Sequence, residues 1–68
     1  METGTVCSLQ LEKGYGFIRT KLTNDVFFHC HELSPDLEFD EQLMERRVKF
    51  ELTNTQLGPR AESVEAAE

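Results

Sequence analysis

Lys13-Gly14-Tyr15-Gly16-Phe17-Ile18 and, a few residues on, Val26-Phe27-Phe28-His29 decide how this chain folds. On the two-residue period of a strand, the first segment sends Tyr15 and Phe17 to one face and Gly14, Gly16 and Ile18 to the other. The second sends Phe27 and His29 to one face and Val26 and Phe28 to the other. One face of each predicted strand is apolar enough for a core. The other carries rings backed by glycines, which costs a small protein solubility and strand stability unless the rings bind something. A flat ligand answers that pattern, and an unstacked nucleobase is the commonest one.

Upstream, Thr3 to Gln10 contains Thr5, Val6, Cys7 and Leu9, a β-favouring stretch that predicts a first strand. A turn around Glu12, Lys13 and Gly14 reverses the chain into a second, antiparallel strand continuing to Thr20. Polar Lys21 to Asp25, ending in Asn24 and Asp25, predicts another reversal into a third strand over Val26 to Cys30. Three strands so joined form a meander, with Phe17 beside Phe27 on one face.

From His31 to Arg47 the alternation stops. Ser34, Pro35 and Asp36 suit the start of a helical turn, as cap, first residue and first-turn acid. Leu33, Leu37, Phe39, Leu43 and Met44 do not sustain a long amphipathic helix, so the expectation is a loop with one or two helical turns. Arg47 to Thr53 alternates again, predicting a fourth strand with Val48, Phe50 and Leu52 inward. Asn54 to Pro59 reads as a connecting loop, Arg60 to Val64 as a weaker fifth strand, and Glu65 to Glu68 as an acidic, frayed end.

These elements predict an all-β, five-stranded antiparallel barrel of the OB type, whose closure removes edges that invite aggregation. The expected inward set is Val6, Ile18, Val26, Phe28, Leu33, Val48, Phe50, Leu52 and Val64. The 68 residues suffice for one domain, with its core over residues 3–64 and an acidic end over 65–68. No run approaches the apolar length of a membrane span, and Met1 to Val6 lacks the basic start and apolar stretch of a signal peptide. The expected location is cytoplasmic. Cys7 and Cys30 match no metal-site spacing and read as reduced thiols serving as small hydrophobes. The net charge of -6 runs against the basic footprint of most nucleic-acid binders.

The quoted segments resemble the two ribonucleoprotein motifs of the cold-shock domain family: Lys-Gly-(Phe/Tyr)-Gly-Phe-Ile at Lys13 to Ile18, and Val-Phe-(aliphatic or aromatic)-His at Val26 to His29. Gly4-Thr5-Val6 and Gly58-Pro59-Arg60-Ala61 also look like that family's opening and closing segments, so the similarity runs from Thr3 to Val64. An RRM carries a similar first motif, but downstream of the second and among two helices, for which no long helix is available here. The resemblance implies a barrel that binds single-stranded RNA or DNA. Tyr15, Phe17, Phe27 and His29 would form the stacking platform, with Lys13 beside it as a phosphate contact, and Phe39 reads either as a further ring from the loop after the third strand or as a lid on the core.

The chain also departs from that family. Cys7, Ser8 and Leu9 stand where members usually carry Lys-Trp-Phe, and Cys30 stands where an aromatic follows the His. The base platforms at Ser8 and Cys30 and the cation at Cys7 are therefore missing, and at about 1 to 3 kcal/mol per stacked base each lost platform weakens binding roughly fivefold to over a hundredfold. Acidic members resemble this chain in charge and still bind single strands, which implies binding carried by stacking with a shallow salt dependence. The expected function is an RNA chaperone or expression regulator without enzymatic activity, cofactor or metal. No nucleophile, base and orienting group can be assembled from these residues. His31, Glu32, Asp36, Asp40 and Glu41 match no metal or acid/base site and read as a solvated loop. The alternative expectation, from another class, is a degenerate barrel that uses the aromatic face and acidic loop against a protein partner.

Overall fold

A computed structural model of the chain describes residues 1–22 and 26–67. Five strands, β1 (Glu2–Gln10), β2 (Tyr15–Arg19), β3 (Val26–His29), β4 (Arg47–Thr55) and β5 (Gly58–Ala66), close into a barrel in the order β1-β2-β3-β5-β4. Two short 3-10 turns, η1 (Cys30–Glu32) and η2 (Glu41–Leu43), interrupt the long connection between β3 and β4. The reversal expected at Asn24 and Asp25 lies outside the described residues.

The all-β barrel agrees with the sequence, with one correction to its strand directions. Four neighbouring pairs are antiparallel, whereas β3 and β5 run parallel, with Phe27 opposite Arg60. The cause is parity: strands that alternate in direction around a ring must be even in number, so a closed ring of five contains at least one parallel pair.

Val6, Ile18, Val26, Phe28, Val48, Phe50 and Val64, all expected inward, are fully buried. Leu33 is half-buried against them. Leu52 is the exception, at 37% exposed. It pairs with buried Ala61, but β1 accompanies β4 only as far as Phe50, so beyond that point the β4–β5 ribbon has lost one neighbour and leaves Leu52 uncovered. Ala61, Leu37 and Leu43 complete the core. The last two come from the long connection, where no periodicity marks them as inward.

Local chemistry sets the element ends. Gly14 has φ of 81°, a left-handed conformation cheap only for glycine, and its N–H donates to Gln10 O at 2.9 Å to close the β1–β2 turn. Gly16 has a packing cause: a Cβ there would lie 2.6 Å from Ser8 O and 2.8 Å from the Phe28 ring. Its lack of a side chain therefore serves the core as well as the aromatic face. β3 stops at His29, one residue before the expected end, because His29 Nδ1 accepts the His31 N–H at 3.2 Å and caps η1. Ser34 and Pro35 start a single turn, closed by the Leu37 N–H to Ser34 O at 3.0 Å, and no helix. The second helical turn forms at η2, where Asp40 Oδ1 accepts the Gln42 N–H at 2.9 Å.

The C-terminal third is more regular than the sequence suggests. A tight hairpin turn at Gln56 and Leu57 replaces the expected loop over Asn54 to Pro59; Thr55 Oγ1 donates to Gly58 O at 2.8 Å and accepts the Leu57 N–H at 3.2 Å. β5 spans nine residues rather than five. Glu65 pairs with Lys49 in register, with an ion pair at 3.9 Å, and the Ala67 N–H donates to Arg47 O at 3.1 Å. Cross-strand pairing thus holds in place a segment whose composition alone reads as frayed.

Candidate nucleic-acid interface

β2 and β3 pair with Tyr15 opposite His29, Gly16 opposite Phe28, Phe17 opposite Phe27 and Ile18 opposite Val26. Strand alternation then separates the residues cleanly. Gly16, Phe28, Ile18 and Val26 are buried, while Tyr15, Phe17, Phe27 and His29 are all half-buried on the opposite face. Ring centroids lie 5.9 Å apart for Tyr15 and Phe17, 5.4 Å for Tyr15 and Phe27, and 5.9 Å for Phe17 and Phe27. The Tyr15–Phe17 and Phe17–Phe27 pairs meet edge to face, and Tyr15 is tilted by 36° to Phe27. Edge-to-face packing holds each ring in place through its neighbours. His29 closes the row, with its ring oriented by the Nδ1 contact to the His31 backbone.

Two neighbouring strands border this face. On β1, a bulge between Val6 and Ser8 shifts the register so that Ser8 faces Phe17, while the Cys7 thiol donates to Phe17 O at 3.6 Å. Ser8 therefore stands beside the platform, and its hydroxymethyl group offers no stacking surface. On the far side, Arg60 of β5 lies opposite Phe27. Arg60 is half-buried, and its Nε has no hydrogen-bond partner. Phe17, Phe27, Thr55, Leu57, Pro59 and Arg60 line a cleft of about 360 Å³, with Leu57 fully exposed at its rim.

The structure thus brings Tyr15, Phe17, Phe27 and His29 together. Lys13 is exposed in the turn that enters β2, its N–H donating to Gln10 O at 3.0 Å. Phe39 stands apart from the other rings. It packs edge to face on buried Phe28, 6.4 Å between centroids, on the core side of β3. The sequence reading missed Arg60, Leu57 and Pro59 as neighbours of the rings. The Gly58-Pro59-Arg60-Ala61 segment was the available signal, but only the parallel β3–β5 pairing places it there.

A closed five-stranded barrel that displays a row of rings on β2 and β3 defines the class of OB-type domains with an aromatic strand face. The family model described as the 'Cold-shock' DNA-binding domain matches residues 2–67, and the chain belongs to the cold-shock domain family. It is 39% identical over 66 residues to the cold shock-like protein CspLB of Listeria monocytogenes, covering 94% of this chain and 96% of that protein. It is 36% identical over 64 residues to the cold shock protein CspA of Staphylococcus aureus, with the same coverage. Among solved structures it resembles Drosophila Unr CSD456 with a TM-score of 0.77 and 26% identity; the match covers 98% of this chain and only 26% of that longer one. No helix among the described residues is long and apolar enough to cross a membrane.

Proposed function

We propose that this chain is a non-enzymatic, cytoplasmic module that binds single-stranded nucleic acid, RNA before DNA, by stacking unpaired bases on Tyr15, Phe17, Phe27 and His29. The observation that carries this reading is the set of three rings 5.4 to 5.9 Å apart on a strand face opposite the core. Burial of the core does not require them there, and every base offers a π-face to such a row. Arg60 and Lys13 flank the rings and contact the strand's phosphates. With a net charge of -6, binding rests mainly on stacking. By holding bases away from their pairs, the domain shifts a hairpin equilibrium by mass action, which is the action of an RNA chaperone or expression regulator and consumes no energy source.

The test is a fluorescence titration with a labelled oligo-pyrimidine single strand and its matching duplex, each at low and physiological salt. Micromolar or tighter binding to the single strand alone, changing little with salt, is the expected result. Absence of binding at low salt overturns the reading. A second reading, a protein-interaction module on the same face, draws on fully exposed Leu57 at the rim of the ring-lined cleft. It is the reading that remains if single strands fail to bind.

A further inference from the structure

His29, Cys30 and His31 are consecutive, and a straight strand would send their side chains to alternate faces. The sequence reading accordingly places Cys30 at a strand end and His31 in a solvated loop, with no metal chemistry. The fold does something else. β3 ends at His29 and η1 begins at Cys30, so the chain coils at this point and gathers the three side chains. One donor atom from each lies within 4.8 Å of the other two. Cys30 Sγ stands 3.8 Å from His29 Nδ1, and the two imidazole centroids are 4.6 Å apart.

The Cys30 Sγ–His29 Nδ1 spacing suits a shared ion, and the cluster's widest donor separation, 4.8 Å, closes by a turn of the exposed His31 ring. Zinc binds thiolate sulfur at about 2.3 Å and imidazole nitrogen at about 2.0 to 2.1 Å, so trigonal to tetrahedral angles separate the two donors by about 3.6 to 3.8 Å. We propose that His29, Cys30 and His31 form a binding site for a borderline-soft ion of the Zn²⁺ class, held by one thiolate and two imidazoles with a fourth position open.

Three features of the surroundings support the assignment. Gly14 borders the cluster; a Cβ there would be in van der Waals contact with Cys30 Sγ, at 3.4 Å, so its hydrogen leaves more room beside the thiol. The same glycine anchors the cysteine backbone, since the Cys30 N–H donates to Gly14 O at 2.9 Å. His31 is exposed and the other two residues are half-buried, which gives an ion a path from solvent. The lone pair that His29 Nδ1 now offers to the His31 N–H, at a long 3.2 Å, is the one the ion takes. Binding releases one thiol proton to solvent and moves no electrons. Neighbouring Glu32 is otherwise engaged, its Oε1 accepting the Ser63 N–H at 3.2 Å. His29 belongs to both this cluster and the proposed base platform, and the metal titration below is run without nucleic acid so that its outcome is independent of stacking.

The test uses the metal-free, reduced chain and no nucleic acid. Co²⁺, a spectroscopic substitute for Zn²⁺, is titrated and its thiolate-to-metal charge-transfer absorption is followed; Zn²⁺ is then added in competition. The expected result is one Co²⁺ per chain, a charge-transfer band and its loss on adding Zn²⁺. Cys30→Ser should abolish the band, His31→Gln should weaken binding by about tenfold or more, and Cys7→Ser should leave both unchanged. Circular dichroism confirms that each variant remains folded; if Cys30→Ser does not fold, the His31→Gln and Cys7→Ser titrations decide. Absence of the band, its survival in Cys30→Ser, its loss in Cys7→Ser, or binding of Cu⁺ alone overturns the assignment.

Discussion

Phe27 lies in parallel register with Arg60, so residues far apart in the chain meet at one edge of the aromatic face. The contact arises where the ring of strands closes, and it sets a guanidinium with an unpartnered Nε beside the Phe17 and Phe27 rings. Arg60→Ala is expected to weaken single-strand binding and lower the slope of log affinity against log salt by about 0.7, the share of one phosphate contact on a single strand. Titrations across a salt series measure both; an unchanged slope removes Arg60 from the phosphate contacts.

Phe17 and Phe27 form the centre of the proposed platform without entering the core. Phe17→Ala and Phe27→Ala should each weaken binding roughly fivefold to over a hundredfold, at about 1 to 3 kcal/mol per stacked base. The cost to folding should fall below that of a core truncation, about 0.5 to 1.5 kcal/mol for the edge-to-face pair plus the loss of partial burial. Thermal melts run beside the binding titration separate the two effects. A variant that unfolds would mean that these rings support the barrel.

Phe28 is adjacent in sequence and opposite in effect, being fully buried beneath Gly16. Phe28→Ala should cost about 3 to 5 kcal/mol, a large part of the stability available to a small domain. Gly16→Ala should cost about 1 to 3 kcal/mol, because the new methyl group meets the Ser8 carbonyl and the Phe28 ring. Urea denaturation should show both losses, with Phe28→Ala the larger.

Ser8 faces Phe17 across the β1 bulge, where its small side chain leaves the row of rings open on that side. Ser8→Trp should extend the platform and tighten single-strand binding by roughly fivefold or more, for a gain of about 1 kcal/mol or above. The same titration measures it. Unchanged affinity would show that bases do not reach the β1 side.

Alternating residue patterns were enough to place the strands and to tell their two faces apart. Alternation over Lys13 to Ile18 and Val26 to His29 separates the rings from the aliphatic residues, and neighbouring strands joined by short turns carry that separation into the barrel unchanged. Period and turn chemistry are local, so they can be read from consecutive residues. Whatever depends on closure or on a change of period came instead from how the elements pack. Closing a ring of five strands required the parallel β3–β5 pair and so brought Arg60 to Phe27. Loss of the β1 neighbour exposed Leu52 despite its inward parity. Leu37, Leu43 and Phe39 packed inward from a connection with no periodicity to mark them. The switch from strand to 3-10 turn at Cys30 gathered His29, Cys30 and His31, which uninterrupted alternation would have held apart.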